Sequence, residues 1–228
     1  MSLTYETIVP WGRSFDEYRR MFALSEQDLE RRILGCGDGP ASFNTQLTAR
    51  GGSVVSCDPL YQFSAQQIKQ RIEASYRTVM EQTGQNQDKY VWQTIPSLDE
   101  LGRIRMSAMR DFLADYERGK RAGRYVGGEA PSLPFAPDAF DLALSSHFLF
   151  PYTDNLSLEF HQRAILDMLR VAQEVRIFPL LTYNAETSPY LEPVVEGLEE
   201  AGYKVSIEAV PYEFQKGGNE MMMVGKEQ

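Results

Sequence analysis

The sequence is poor in the residues that form covalent crosslinks and in those that commonly bind metals. It contains only two cysteines and two histidines among 228 residues. Cys36 and Cys57 each follow a short apolar run, so we expect buried, reduced thiols rather than a disulfide. We expect no metal site in the chain.

The chain also has neither a long apolar run nor an excess of positive charge. No stretch approaches the roughly 20 apolar residues that span a bilayer, and the first residues lack the basic-then-apolar pattern of a secretion signal. We therefore expect a cytoplasmic protein without membrane contacts. The net charge of −9 disfavours a general nucleic-acid binder, because phosphate contacts require a basic face. The oligomeric state stays open.

What the chain does contain is a glycine-rich turn between an apolar strand and a helix. Residues 33–39 read Ile-Leu-Gly-Cys-Gly-Asp-Gly, and Pro40 suits the first position of a helix. A second apolar run follows and ends at Asp58. A strand, a glycine turn, a helix and a second strand ending in a carboxylate predict a nucleotide-binding half-unit. The turn admits a ligand close to the backbone, and the carboxylate accepts hydrogen bonds from ribose hydroxyls.

The spacing of the glycines indicates which nucleotide binds. Dinucleotide sites use G-x-G-x-x-G/A, whereas this turn reads G-x-G-x-G and Pro40 stands where the third small residue belongs. The pattern resembles motif I of the class I S-adenosylmethionine-dependent methyltransferases, in which an acid after the second strand binds the ribose. The resemblance implies S-adenosyl-L-methionine as the cofactor and a site that includes Gly35, Cys36, Gly37, Gly39 and Asp58.

A second passage supports the resemblance. Residues 133–141 contain Leu-Pro-Phe followed by Phe-Asp, similar to the family's passage into its fourth strand. The family has an acid just before this passage that reaches the adenine amino group. Glu129 holds that place, with the Ala130 N–H as partner of a ring nitrogen; a plain surface turn is the alternative for Glu129. Further expected cofactor residues are Pro59 and Leu60, with Tyr61, at the adenine wall, and Ser145 at the end of the fourth strand.

Acceptor residues are expected at the carboxyl ends of the fourth and fifth strands, where open α/β sheets bind ligands. The candidates are Ser146, His147, Phe148, Tyr152 and Tyr183. His147 is the first choice as a catalytic base, since histidine titrates near neutral pH. The alternative is that His147 only lines the pocket. His161 lies in the following helix and is expected to be structural.

The N-terminal residues 1–30 predict a helical cap. Ser14 and Glu17 have the spacing of a capping box. In the methyltransferase class such a segment closes over the cofactor, so the resemblance implies that Arg13 and Tyr18 reach its methionine end. Arg13 would bind the carboxylate through charge-assisted hydrogen bonds. A solvated arginine beside a packed tyrosine is the alternative.

Residues 62–123 depart from the minimal plan of the family. Apolar residues repeat at helical spacing over residues 64–83 and again over 97–120, predicting two long helices where one is usual. These helices form either a lid beside the substrate entrance or a longer helical layer. Near the C-terminus, Ser188-Pro189 predicts the start of a helix, and residues 203–225 predict an antiparallel hairpin.

These features predict one α/β domain over residues 1–228. The expected fold is a doubly wound, mostly parallel, seven-stranded Rossmann-like sheet with a C-terminal antiparallel hairpin and a helical insertion after the second strand. The resemblance covers residues 31–226 apart from 62–123, and it implies methyl transfer. A small-molecule acceptor is favoured because the chain is acidic and carries no separate recognition domain. A protein or RNA methyltransferase and a non-catalytic methyltransferase-like binding protein are the alternatives.

Overall fold

A mixed sheet forms the centre of the computed structural model, which describes residues 9–226. Its strands are β1 (Arg32–Cys36), β2 (Ser53–Cys57), β3 (Tyr125–Val126), β4 (Phe140–Ser146), β5 (Ala172–Phe178), β6 (Tyr203–Ala209) and β7 (Glu220–Lys226). Their order is β3-β2-β1-β4-β5-β7-β6. The first five strands in that order are parallel, and β7 runs antiparallel to both β5 and β6. The predicted fold class is confirmed.

Helices cover both faces of this sheet. They are α1 (Phe15–Met21), α2 (Glu26–Leu29), α3 (Phe43–Ala49), α4 (Ala65–Gln85), α5 (Leu98–Arg121), α6 (Leu158–Val171) and α7 (Leu191–Glu200). Successive strand residues point to opposite faces, so Ile33 packs with α1 and α3 whereas Leu34 packs with α6 and α7. Two apolar cores, one on each face, therefore hold the strands in place.

The two inserted helices, α4 and α5, pack together beside the edge strand β3. A third cluster of buried aromatic and aliphatic side chains joins α4 and α5 to the edge strand β3. Helix α5 packs against α3 and β3, and thus extends the helical layer beside the sheet. Each inserted helix begins directly after a capping serine: Ser64 accepts a hydrogen bond from the Gln67 N–H, and Ser97 from the Glu100 N–H. The predicted positions of both helices are confirmed.

Two predicted helix starts are wrong. Helix α3 begins at Phe43 rather than at Pro40, because Gly39 has a φ of +54° and the turn continues past it. The Ser42 N–H donates to the Arg13 carbonyl, 3.0 Å away, and so ties the turn to the N-terminal segment. Helix α7 begins at Leu191 rather than after Ser188, whose hydroxyl lies 2.8 Å from that of Thr153.

The fifth strand, β5, runs from Ala172 to Phe178. The next residue is Pro179, which has no N–H to donate to the strand ladder, so pairing ends there.

The predicted N-terminal cap is described from residue 9, with Ser14 and Glu17 forming the expected capping box. Its first eight residues lie outside the described part of the chain.

Candidate functional site

A cavity of about 630 Å³, here called the main cavity, opens at the carboxyl ends of β1, β2 and β4. This is the edge of an open α/β sheet at which ligands bind. The cavity collects most of the residues predicted for the site: Arg13, Tyr18, Cys36, Gly37, Gly39, Asp58, Pro59, Leu60, Glu129, Ala130, Ser146, His147, Phe148, Tyr152 and Tyr183.

Three predicted residues lie outside the lining of the main cavity. Gly35 sits within β1, where a Cβ atom would come within 1.8 Å of the Asp38 carboxylate. Ser145 is buried inside β4, and its hydroxyl has no hydrogen-bond partner among the described residues. Tyr61 is buried beneath the turn, where its hydroxyl donates to the Gly39 carbonyl at 2.6 Å. It braces the turn instead of forming a wall of the cavity.

The glycine turn is held by Asp58 and by the end of β2. The carboxylate accepts the Gly39 N–H at 2.8 Å and the Leu60 N–H at 2.7 Å, one on each oxygen. The Gly37 N–H donates to the Cys57 carbonyl at 2.9 Å. A carboxylate has about four lone-pair positions, so both oxygens of Asp58 can accept further hydrogen bonds from a ligand in the cavity.

Sequence reasoning missed Asp38, the acid inside the glycine turn. Its two oxygens accept the Tyr18 hydroxyl at 2.8 Å and the Ser56 hydroxyl at 2.6 Å. Burial raises the pKa of Asp38 to about 6, the neighbouring charge of Asp58 adds to the shift, and the two hydroxyl donors oppose it. The position of Asp38 between two glycines of the turn was the feature of the sequence that could have indicated its place in the site.

Three acidic side chains lie together in one part of the main cavity, which is also lined by Arg13 and Arg71. Burial raises the pKa of Asp58, and the charge of Glu129 raises it further. With Asp38, three carboxyl groups line one cavity. Like charges in a poorly solvated space repel one another, so this part of the cavity favours a ligand that brings positive charge.

His147 lies at the turn that follows β4. It has a φ of +56°, its N–H donates to the Phe178 carbonyl at 2.7 Å, and its Nδ1 lies 2.9 Å from the Ser146 hydroxyl. Burial, together with the charges of Arg13 and Arg105, holds the pKa of His147 well below its usual range. The imidazole is therefore neutral at neutral pH, and it binds an abstracted proton less tightly than an ordinary histidine.

A smaller cavity of about 80 Å³, here called the inner chamber, adjoins the main cavity behind His147. The two cavities share Trp11, Arg13, Val79, His147 and Tyr183. The inner chamber is also lined by Thr83, Tyr90, Leu101, Arg105, Phe178, Pro179, Tyr212, Phe214, Gln215 and Gly218. It lies at the ends of β4 and β5, and of the expected acceptor residues it is lined by His147 and Tyr183.

Helix α4 forms one wall of the main cavity, although none of its residues was predicted for the site. The lining includes Phe63 just before the helix, and Arg71, Ala74, Ser75 and Val79 within it. Positions 71, 75 and 79 are four residues apart and position 74 lies three residues after 71, so the four side chains share one face. Small side chains at positions 74 and 75 on that face were the signal available in the sequence.

Arg13 and Arg105 both line the inner chamber, and the Nε atom of each lacks a hydrogen-bond partner among the described residues. Arg105 is 1% exposed and its Nη1 donates to both oxygens of Glu17, at 2.6 and 2.5 Å, while Tyr212 donates to the same carboxylate at 2.9 Å. Hydrogen bonds and the Arg105 charge lower the pKa of Glu17 to about 2 against the opposing effect of burial. Arg13 donates to the Trp11 carbonyl at 2.8 Å. The Nε atoms of both arginines are buried without an acceptor among residues 9–226.

Cys36 and Cys57 lie opposite each other in the β1–β2 pair, and both are buried and free. Within residues 9–226 there is no group of three or more His, Cys, Asp or Glu side chains placed to hold a metal ion. The described helices include none long and apolar enough to cross a membrane.

The strand order, the antiparallel last strand and the glycine turn with its acid define the Rossmann-like methyltransferase fold. The chain belongs to the family of an uncharacterised protein of Methanocaldococcus jannaschii, MJ0045. The two sequences are 30% identical over 223 residues, which cover 97% of this chain and 98% of the relative. No family model matches the chain.

Solved structures with a similar fold share little sequence with this chain. The PH0226 protein from Pyrococcus horikoshii matches with a TM-score of 0.45 and 11% identity, over 87% of this chain and 82% of its own. A SAM-dependent methyltransferase from Aquifex aeolicus matches with a TM-score of 0.43 and 15% identity, over 92% and 87%. A TehB-like SAM-dependent methyltransferase from Corynebacterium glutamicum gives 0.45 and 15%, over 87% and 81%. The fold assignment therefore rests on the strand order itself.

Proposed function

We propose that this protein is an S-adenosylmethionine-dependent methyltransferase whose cofactor binds in the main cavity and whose acceptor is a small molecule. One observation carries the proposal: the Asp58 carboxylate fixes the glycine turn through the Gly39 N–H, at the floor of a cavity of about 630 Å³. Pockets for cofactor-sized ligands commonly have volumes of about 300–1,000 Å³.

The residues of the main cavity fit this cofactor. Asp58 retains acceptor capacity for ribose hydroxyls, while Leu60 offers an apolar surface and Glu129 and Ala130 offer hydrogen-bonding groups for the adenine. The carboxyl groups of Asp38, Asp58 and Glu129 provide a negative environment. The cofactor's sulfonium and ammonium groups are cations, and opposite charges attract strongly where water is excluded.

The chain's contribution to methyl transfer would be positioning and the exclusion of water. Bound in the main cavity, S-adenosylmethionine would supply an electrophilic methyl group on its sulfonium sulfur. Ser146, Tyr152 and Tyr183 would orient the acceptor. With a hydroxyl acceptor, His147 is the candidate to take the proton. With a neutral amine, no base is needed before attack.

Closure over the cofactor forms part of the proposal. Residues 9–13 and helix α4 both line the main cavity, so the N-terminal cap and α4 would form a lid. The small acceptor is favoured over a protein or RNA segment because the inner chamber measures only about 80 Å³. A non-catalytic binding protein with the same cavity is the remaining alternative, and methyl transfer itself separates it from an enzyme.

The cofactor assignment can be tested by thermal unfolding with two nucleotides. S-adenosylhomocysteine at millimolar concentration should raise the Tm, because a ligand that binds only the folded state stabilises it by mass action. NAD should not. A shift with NAD and none with S-adenosylhomocysteine would overturn the assignment. Transfer of labelled methyl groups to small acceptors, peptides and RNA then identifies the acceptor class.

A further inference from the structure

The inner chamber has more positive than negative charge. Its charged side chains are Arg13 and Arg105, and Glu17 neutralises only one of them. In the described part of the chain no carboxylate forms an ion pair with Arg13. The Arg13 side chain is only partly exposed and its Nε atom is buried, so water compensates its charge incompletely. The chamber is therefore suited to a ligand that brings one negative charge.

The electrostatic neighbours of Arg13 lie in both cavities. Burial lowers the pKa of His147 and the Arg13 charge lowers it further, while burial and the Arg105 charge lower the pKa of Arg13 itself. Burial raises the pKa of Tyr18 and of Tyr152 in the main cavity, and the Arg13 charge opposes both shifts. The guanidinium therefore lies where the two cavities meet, within reach of a ligand in the inner chamber.

Unsatisfied donors point to the same kind of ligand. The Nε atoms of Arg13 and Arg105 are both buried without an acceptor among the described residues, although buried N–H groups nearly always have one. Around them the chamber is lined by flat rings, those of Trp11, Tyr90 and Phe214 among them. Two free donors beside aromatic surfaces match the oxygens of a small carboxylate on an apolar stem.

We propose that the inner chamber binds the methyl acceptor through a carboxylate, that Arg13 is its binding residue, and that the acceptor is a small organic acid. This inference rests on the proposed function. The carboxylate would enter the inner chamber, and the remainder of the acceptor would extend past His147 into the main cavity. The cofactor's own carboxylate is the other source of the same chemistry, since the sequence predicted that Arg13 binds it.

The first experiment compares acids with their amides on the protein saturated with S-adenosylhomocysteine. Ligand-observed NMR would measure binding of acetate, benzoate and 4-hydroxybenzoate, each beside acetamide, benzamide and 4-hydroxybenzamide. At least one acid should bind at least tenfold more tightly than its amide. Arg13→Gln should abolish that preference, and Arg13→Lys should retain part of it. Arg163→Gln is the matched control, because Arg163 lies on α6 with its side chain 63% exposed.

The second experiment separates the two sources of the carboxylate. Methylthioadenosine lacks the amino-acid part of S-adenosylhomocysteine, so it lacks the carboxylate. If Arg13 serves the acceptor, Arg13→Gln should change the affinity for both nucleosides by less than threefold. A tenfold loss for S-adenosylhomocysteine alone would assign Arg13 to the cofactor and overturn the inference.

Failure of the inference differs from failure of the proposed function. If S-adenosylhomocysteine does not bind the wild-type protein, the proposed function fails. If it binds but none of the three acids does, or the amides bind as tightly as the acids, only the inference fails. A preference for acids that persists in Arg13→Gln also overturns it. Unfolding curves of each variant without ligand show whether the variant folds.

Discussion

At the scale of single residues, the buried carboxyl group of Asp38 links the glycine turn to pH. Burial raises its pKa from 3.8 in the unfolded chain to about 6 in the folded chain. Between these two values the folded chain holds a proton that the unfolded chain has lost. Unfolding then releases a proton, so the free energy of unfolding falls as the pH rises through this window.

Substitution of Asp38 by Asn should remove this dependence. Asn keeps an acceptor for the Tyr18 hydroxyl but does not titrate. From pH 4 to pH 7 the free energy of unfolding of the wild type should fall by up to about 3 kcal/mol relative to Asp38→Asn, at about 1.4 kcal/mol per pKa unit. Urea unfolding at several pH values measures the free energy of unfolding of both proteins. The difference between them removes the contributions of the other titrating groups, which the two proteins share. Parallel pH profiles would contradict the raised pKa.

Some site residues could be predicted from the sequence and others could not. Asp58, Glu129 and His147 stand at fixed places relative to strands and to a glycine turn, so local pattern placed them at the cavity. The charge pair of Arg105 and Glu17 joins positions 88 residues apart, and no local pattern connects them. The roles of such residues depend on partners that only the folded chain brings together.

At the scale of elements, the inserted helix α5 is joined to the N-terminal helix α1 by a buried ion pair. Arg105 on α5 and Glu17 on α1 are 1% and 2% exposed, and Tyr212, after β6, donates to the same carboxylate. Removing one member of such a pair leaves an uncompensated charge, whereas removing both leaves neutral groups. The pair therefore holds α5 against α1.

A double-mutant cycle tests this connection. Arg105→Met should lower the free energy of unfolding by about 3–5 kcal/mol, since it leaves Glu17 buried and unpaired. Glu17→Gln keeps a side-chain oxygen that can cap α1. In the double variant neither buried group is charged, so its loss of unfolding free energy should be markedly smaller than the sum of the two single losses. Chemical denaturation of the four proteins gives the coupling. Strictly additive losses would mean that the pair does not act as a unit.

Element boundaries could be predicted where local chemistry decides them. The helices capped by Ser14, Ser64 and Ser97 begin where the sequence predicts, because each cap bonds to the backbone within its own first turn. The predicted start of α3 was wrong because the Gly39 N–H donates to Asp58, which follows β2. Tertiary hydrogen bonds of that kind override local helix signals.

At the scale of the whole molecule, the sheet order brings two regions of opposite charge side by side. Asp38, Asp58 and Glu129 line the main cavity, Arg105 lines the inner chamber, and Arg13 lines both cavities. His147 lies between them, at the end of β4. The arrangement suits a cationic cofactor beside an anionic acceptor. It would also allow a chain of net charge −9 to hold the proposed site for an anion.

The central claim is that the cavity at the glycine turn binds S-adenosylmethionine, and isothermal titration with S-adenosylhomocysteine tests it most directly. Wild-type protein should bind one molecule per chain, and Arg163→Gln, remote from the cavity, should bind equally well. Asp58→Ala should weaken binding by about 1–3 kcal/mol, the scale of hydrogen bonds to a charged group. Absence of binding to the wild type, or equal affinity in Asp58→Ala, would contradict the account.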